Sequence, residues 1–155
     1  MAGNTRSART TDIPALVELM AEFYAESGFA LPIPAATQSF STVLADPRLG
    51  RVFIIEAGDA PAGYIVLTFG FSMEYGGFQA SIDDFFVKPV ARGGGLGGAA
   101  LRVVRDVCSD LGIRAILVET DIESQPARRF YQRSGFEPTG RLLLSLPLAA
   151  RIHDG

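Results

Sequence analysis

Five of the six residues from Gly93 to Gly98 are glycine, and the run separates two segments of different periodicity. Upstream, Ile82–Val87 is an apolar, strand-like stretch; downstream, Ala99–Leu111 carries apolar residues at helical spacing. A strand, a glycine-rich turn and a helix together present free backbone N–H groups to an anion. Glycine admits positive φ and lets a ligand approach without meeting a Cβ. The helix start adds up to about four unpaired N–H groups and the positive end of the helix dipole. The run therefore predicts a phosphate-binding turn in an α/β chain.

The rest of the pattern fits around that turn. A weak strand is expected over Thr5–Arg9, and Thr11-Asp12-Ile13-Pro14 then reads as a helix start, with a cap and a first-turn proline. Ile13, Leu16, Val17, Leu19, Met20, Phe23 and Tyr24 follow at helical spacing as far as Ser27-Gly28. Phe29–Ala36, with two prolines, reads as a loop, and Gln38–Ala45 as a short second helix. Strands are expected at Arg51–Ala57, Ala62–Phe71 and Gln79–Val87, parted by the Gly58-Asp59 and Gly76-Gly77 turns. Arg114–Thr120 is so apolar that it reads as the buried centre of a sheet. Pro126–Ser134 reads as a helix stopped by Gly135, and Leu142–Leu148 as a last strand. This order predicts one α/β domain over residues 1–155 with a mixed sheet.

Composition removes several function classes. The chain has 155 residues, 48% hydrophobic and 20% charged, an ordinary globular balance with enough length for one core. A net charge of −3 and scattered basic residues argue against a nucleic-acid partner. The single cysteine, Cys108, sits in a helical apolar rhythm and reads as a core residue. The single histidine, His153, falls in a stretch expected to fray. Together they leave no disulfide, no Cys/His metal site and no His-based nucleophile triad, so no metal is expected. No run approaches the ~18 apolar residues of a membrane span. Met1–Thr11 lacks the apolar centre of a secretory signal, so no membrane partner and a cytoplasmic location are expected.

Three glycine-loop chemistries compete for the turn. A Walker loop requires Gly-Lys-Ser/Thr at its end, and neither residue follows Gly98. A dinucleotide fingerprint can be laid on so glycine-rich a run, but it belongs in a first βαβ unit, and here a strand meander precedes it. The third fits the whole segment. Val87-Lys88-Pro89-Val90-Ala91-Arg92-Gly93-Gly94-Gly95-Leu96-Gly97 resembles the acyl-CoA-binding motif of the GNAT acetyltransferases, with Arg92, Gly95 and Gly97 matching in order. Ala127-Arg128-Arg129-Phe130-Tyr131-Gln132-Arg133-Ser134-Gly135-Phe136 resembles the same family's Ala-x-x-Phe-Tyr-x-x-x-Gly-Phe helix and turn. The likeness runs from Arg9 to about Leu148. Ser124 departs from it, standing where the family usually has Asn to help hold the pantetheine arm.

The resemblance implies a central, mostly antiparallel sheet of about six to seven strands flanked by about four helices. It also implies transfer of an acetyl group from acetyl-CoA directly to a primary amine, without a metal. Such transfer has a protonation problem, because an amine of pKa ~10.4 is neutral in only about one molecule in 2,500 at pH 7. A base or an acidic pocket helps form the nucleophile, and an acid helps the thiolate leave. By the resemblance Tyr131 is the acid. The run Asp83-Asp84-Phe85-Phe86-Val87 looks like that of the diamine acetyltransferase branch, which makes Asp83 the base, acting through water. Asp84 is left with a structural or substrate-amine role. As neighbours in a strand the two acids are expected on opposite faces.

The resemblance further implies that the backbone of Phe85, Phe86 and Val87 binds the pantetheine amides. Arg92, Gly93, Gly94, Gly95, Leu96, Gly97 and Gly98 would hold the pyrophosphate, with Ser124 beside the arm. Tyr24 and Glu74, with Phe29, Phe69, Phe71, Met73 and Tyr75, are candidates for the acceptor pocket. The acceptor stays open among a polyamine, an amino acid, an amino sugar and a protein amine, with a small cationic amine favoured. A non-catalytic acyl-CoA-binding module is the alternative, and a homodimer is a further possibility.

Overall fold

The computed structural model describes residues 3–154. Among the described residues five strands form one sheet in the order β1-β2-β3-β4-β5: β1 Gly3–Ser7, β2 Gly50–Ala57, β3 Ala60–Ser72, β4 Gly77–Val87 and β5 Ile116–Val118. Neighbours are antiparallel except β4 and β5, which run parallel. A parallel neighbour needs a crossover, and the helix α3, Leu96–Asp110, supplies it. α1 (Ile13–Glu26), α2 (Ile33–Ala45) and α4 (Gln125–Arg133) complete the set of four.

Strand alternation divides the core into two layers. Val52, Ile54, Tyr64, Val66 and Phe86 face α1 and α2, where Leu16, Leu19 and Phe40 are buried. Phe53, Ile55, Ile65, Leu67 and Ile82 face α3, where Ala100, Leu101, Val104 and Cys108 are buried. Cys108 is thus a core residue, and burial raises its thiol pKa.

Four expectations need correction. α2 starts at Ile33, inside the expected loop, because Pro34 occupies the first turn, where its missing N–H costs nothing. β5 is an edge of the five-stranded sheet and only half-buried, although its sequence is patterned for a centre. Leu142–Leu148 forms no strand, because its backbone meets no neighbouring strand; the sheet therefore has five strands, fewer than expected. His153 is not frayed: its ring packs 4.2 Å from Phe29 and 5.5 Å from Tyr24, centroid to centroid.

Candidate active site

The site begins where two strands part. β4 and β5 pair only at Ala80–Ile82 with Ile116–Val118. Beyond Ile82, β4 remains paired to β3 as far as Val87, and its other edge is open. That edge forms one wall of a groove of about 870 Å³. Phe85, Phe86 and Val87 line it from β4, and Arg92, Gly93, Gly95, Leu96, Gly97 and Gly98 line it from the turn and the start of α3. Ser124 and Tyr131 close it from α4. Gly94 lies in the same turn but off the wall.

The glycines have separable jobs. Gly95 caps α3 at φ +83°, a left-handed conformation that strains any residue with a Cβ. The Ala99 N–H is bonded to the Gly95 carbonyl at 3.0 Å, so the N–H groups of Leu96, Gly97 and Gly98 are the helix's unpaired donors. Gly97 matters for packing: a Cβ there would lie 3.2 Å from Phe130 Cζ and 3.6 Å from Phe85 Cζ.

Arg92 is employed structurally. Its Nε donates to the Val87 carbonyl at 2.8 Å and its Nη2 to Glu26 at 2.5 Å, with the guanidinium 5.7 Å from the Phe86 ring centroid. Its own N–H donates to the Pro89 carbonyl at 3.2 Å. The side chain ties the turn to α1 and β4, and the free backbone donors begin after it. Arg102 and Arg133 line the groove as well, and sequence reasoning missed both. Arg102 was findable, since it follows Gly98 by four residues and so shares its helix face.

Tyr131 sits in an aromatic cluster, with ring centroids 5.2 Å from Phe130, 5.4 Å from Phe136 and 6.4 Å from Phe85. Burial pushes its hydroxyl up to about 12, so it carries its proton throughout the neutral range. Among the described residues no group hydrogen-bonds to that hydroxyl. Phe130 behaves as the core aromatic its position predicts, edge-on to Phe85 at 5.7 Å. Ser124 precedes α4 at the N-cap position, yet its side chain makes no capping bond and is free toward the groove.

The two acids are arranged differently from expectation. Opposite β3, Leu67 pairs with Ile82 and Val66 with Asp84, which leaves Asp83 as the extra residue of a β-bulge. The bulge reverses the alternation of β4. Ile82 faces the α3 layer, whereas Phe86, four residues on, faces the α1 layer. Asp83 and Asp84 therefore share the α1 side instead of opposing each other. Asp84 accepts a 2.9 Å hydrogen bond from Tyr64 Oη. Burial pushes its carboxyl up to about 6, with the Tyr64 bond opposing and the Asp83 charge adding to the rise. Tyr24 on α1 lies within reach of both charges, and its pKa is raised by burial and then by them.

Glu74 is not brought to this place. It lies in the β3–β4 turn, paired with Arg141 at 2.7 Å. At about 3.3 Å per residue, β4 carries Asp83 roughly 20 Å from that turn. Phe71, Met73 and Tyr75 stay at the same far end, exposed. Phe69 packs on the α3 layer, and Phe29 packs on His153. Among the described residues there is no group of acids, Cys or His that could hold a metal ion, and no helix is long and apolar enough to cross a membrane.

The open edge of β4, the glycine helix start and the α4 tyrosine thus meet at one groove. A model of the acetyltransferase (GNAT) family matches residues 13–136, and the chain belongs to that family. It is 26% identical over 137 residues to the uncharacterized N-acetyltransferase YhfO of Bacillus subtilis, covering 86% of this chain and 89% of that one. An integron cassette protein, HFX_CASS3, from the mobile metagenome of Cole Harbour salt marsh superposes with a TM-score of 0.90. It is 54% identical and covers 96% of this chain and 93% of its own. A predicted acetyltransferase from Clostridium acetobutylicum, solved with acetyl-CoA, shares the fold at a TM-score of 0.77 and 21% identity, covering 95% of this chain and 97% of its own.

Proposed function

We propose that this chain is an acetyl-CoA-dependent N-acetyltransferase that transfers the acetyl group directly to a small cationic primary amine. The observation that carries this reading is the convergence of three features on one groove: the open edge of β4 at Phe85–Val87, the unpaired N–H groups of Leu96, Gly97 and Gly98, and the unbonded Tyr131 hydroxyl. An extended, amide-bearing arm pairs with an open strand edge, and a pyrophosphate sits on a helix N-terminus. The fold relative solved with acetyl-CoA supports the choice of co-substrate. Gly93 to Gly98, with Arg102 supplying a cation, hold the diphosphate end, and Ser124 lies beside the arm.

The bound co-substrate supplies an activated acyl group, and the chain's residues manage the protons. Asp83, exposed on the bulge, takes a proton from the incoming ammonium through water, leaving the nitrogen lone pair to form the new C–N bond. Tyr131 gives its proton to the coenzyme A sulfur as the C–S bond breaks, so the leaving group departs as the thiol, and the second proton shed by the new amide nitrogen restores the Tyr131 hydroxyl. Asp84, with Asp83, draws the cationic amine to the α1 side of β4, with Tyr24 as the apolar wall. Two carboxylates on one side favour a cation over a neutral or anionic acceptor.

Incubation with acetyl-CoA and a panel of polyamines, amino acids, amino sugars and peptide amines, following free CoA, tests the proposal. Turnover highest with small diamines or polyamines is expected. Thermal stabilisation by acetyl-CoA without turnover on any amine would make the chain a binding module. Stabilisation by ATP or NAD but not acetyl-CoA would overturn the reading altogether.

A further inference from the structure

At its last residue the open edge of β4 is capped by the chain itself. The Lys88 N–H donates to the Ala62 carbonyl at 2.7 Å, which makes Val87 and Gly63 a pair with no hydrogen bonds between them. The N–H and C=O of Val87 therefore point away from β3 and toward the groove, as do those of Phe85 two residues earlier. Of these edge groups the Val87 carbonyl is taken, because Arg92 Nε donates to it at 2.8 Å. An extended, amide-bearing arm that adds to a strand edge donates its N–H groups to carbonyls of this kind. Arg92 thus brings, from within the chain, the donor that an arm amide would bring from outside.

Other contacts hold the guanidinium in that position. Its Nη2 is paired with Glu26 at 2.5 Å, and it lies 5.7 Å from the Phe86 ring centroid. Glu26 is the last residue of α1 and itself lines the groove. The same two segments carry a second ion pair at matching spacing: Glu22, four residues before Glu26, meets Lys88, four residues before Arg92, at 3.7 Å. Two acids on one face of α1 thus oppose two bases that follow β4. Both members of the Arg92–Glu26 pair remain partly exposed, so the arginine can turn without opening the core.

We infer that the Arg92–Glu26 pair determines which acyl donor the chain accepts, by closing the strand edge to an arm that carries no phosphate. The inference rests on the proposed reading of the β4 edge as the arm's site. A diphosphate on the N–H groups of Leu96, Gly97 and Gly98 offers Arg92 a second anionic partner, and phosphate oxygens suit the two-pronged guanidinium at least as well as one carboxylate. Rotation of the side chain toward that anion takes Nε off Val87 and leaves the carbonyl to the arm. A neutral arm offers no such exchange and must itself displace a charged donor that Glu26 holds in place. The pair therefore favours an acyl group carried by coenzyme A over the same acyl group on bare pantetheine.

The test compares S-acetylpantetheine, the uncharged arm, with acetyl-CoA. Dissociation constants of both are measured by ligand-detected NMR on the full chain and on its Glu26→Gln and Arg92→Ala variants. Both substitutions are expected to tighten S-acetylpantetheine about 3- to 10-fold, the yield of one charge-assisted hydrogen bond that no longer has to be broken. Arg92→Ala is expected to weaken acetyl-CoA at the same time, so the two ligands move in opposite directions. A Glu26 that only repelled the diphosphate would tighten acetyl-CoA in Glu26→Gln and leave the neutral arm unmoved, which overturns the inference. Weaker binding of the neutral arm in either variant overturns it too, since Arg92 would then shape the edge instead of closing it. So does tightening confined to one variant, or a neutral arm that binds none of the three chains. Failure of acetyl-CoA to bind the parent would overturn the reading of the site, and the inference with it.

Discussion

Tyr64 and Asp84 form a hydrogen-bonded pair at 2.9 Å across β3 and β4, with the tyrosine ring wholly buried against Phe23, Phe40 and Phe86. A carboxyl group in such surroundings is expensive to ionise. The phenol offsets part of that cost by donating to it. The Tyr64 hydroxyl is in turn held protonated by burial and by the Asp84 charge, so the proton stays on the phenol.

The pair makes stability depend on pH with a defined sign. Asp84 titrates near 6 when folded and at 3.8 when unfolded, so the folded state holds the extra proton between those values. Stability is greatest below about pH 4 in this contribution and falls as pH rises through 6, by about 3 kcal/mol in all. Asp84→Asn removes this fall. At pH 7.5 the variant is expected to melt roughly 5–10 °C higher than the parent. Amine turnover is expected to drop at least ~10-fold if Asp84 binds the ammonium. A melting temperature lowered at pH 7.5 and at pH 5 alike would refute the burial argument.

The opposite sign governs Asp12. Arg6 donates to it from Nη1 at 2.8 Å and Nη2 at 2.9 Å, and the Arg9 N–H adds a third bond at 2.7 Å. The Arg6 bonds above all hold its carboxyl down at about 2. Its contribution is present above pH 3.8 and is lost as pH falls through 2. Asp12→Asn is expected to cost about 2 kcal/mol at pH 7, read from urea midpoints, with the loss shrinking toward pH 2.

Much of this arrangement was legible before the structure. Glycine's missing Cβ is a local fact, so the turn from Gly93 to Gly98 and the groove it borders follow from sequence. Phe85, Val87 and Tyr131 share the groove because two motifs at the right spacing meet through one sheet. The bulge at Asp83 was not legible. Strand alternation puts neighbours on opposite faces, and a one-residue insertion is decided by the partner strand, through Leu67 and Val66. The Arg92–Glu26 pair was not legible for a related reason: the two residues are 66 apart in sequence. The Leu142–Leu148 pattern is that of a strand, but a strand also needs an edge to pair with, which no local pattern contains.

Gly95 and Gly97 answer differently to the same added methyl. Gly95→Ala forces a residue with a Cβ to φ +83°, costing about 1–2 kcal/mol, while no neighbouring atom lies within 4 Å of the methyl. Relaxing that strain redirects the first N–H groups of α3, so the KM for acetyl-CoA is expected to rise at least ~10-fold. Gly97→Ala gains about 1 kcal/mol of helix propensity but presses on Phe130 at 3.2 Å. Its melting temperature is expected to stay close to that of the parent. Equal effects of the two on KM would contradict the separation of roles.

Tyr131→Phe separates chemistry from packing most cleanly. The ring contacts with Phe85, Phe130 and Phe136 survive the substitution, and the hydroxyl it removes bonds to no described residue. Stability is therefore expected to change by less than about 0.5 kcal/mol. If the hydroxyl protonates the departing sulfur, kcat is expected to fall about 10²–10⁴-fold. The KM for acetyl-CoA should barely move, because the arm and diphosphate contacts come from β4 and α3. The parent's kcat is also expected to show no loss from Tyr131 ionisation below about pH 11, since burial holds that group near 12. A Phe variant with parental kcat would assign the sulfur's proton to solvent and leave Tyr131 as a wall of the groove.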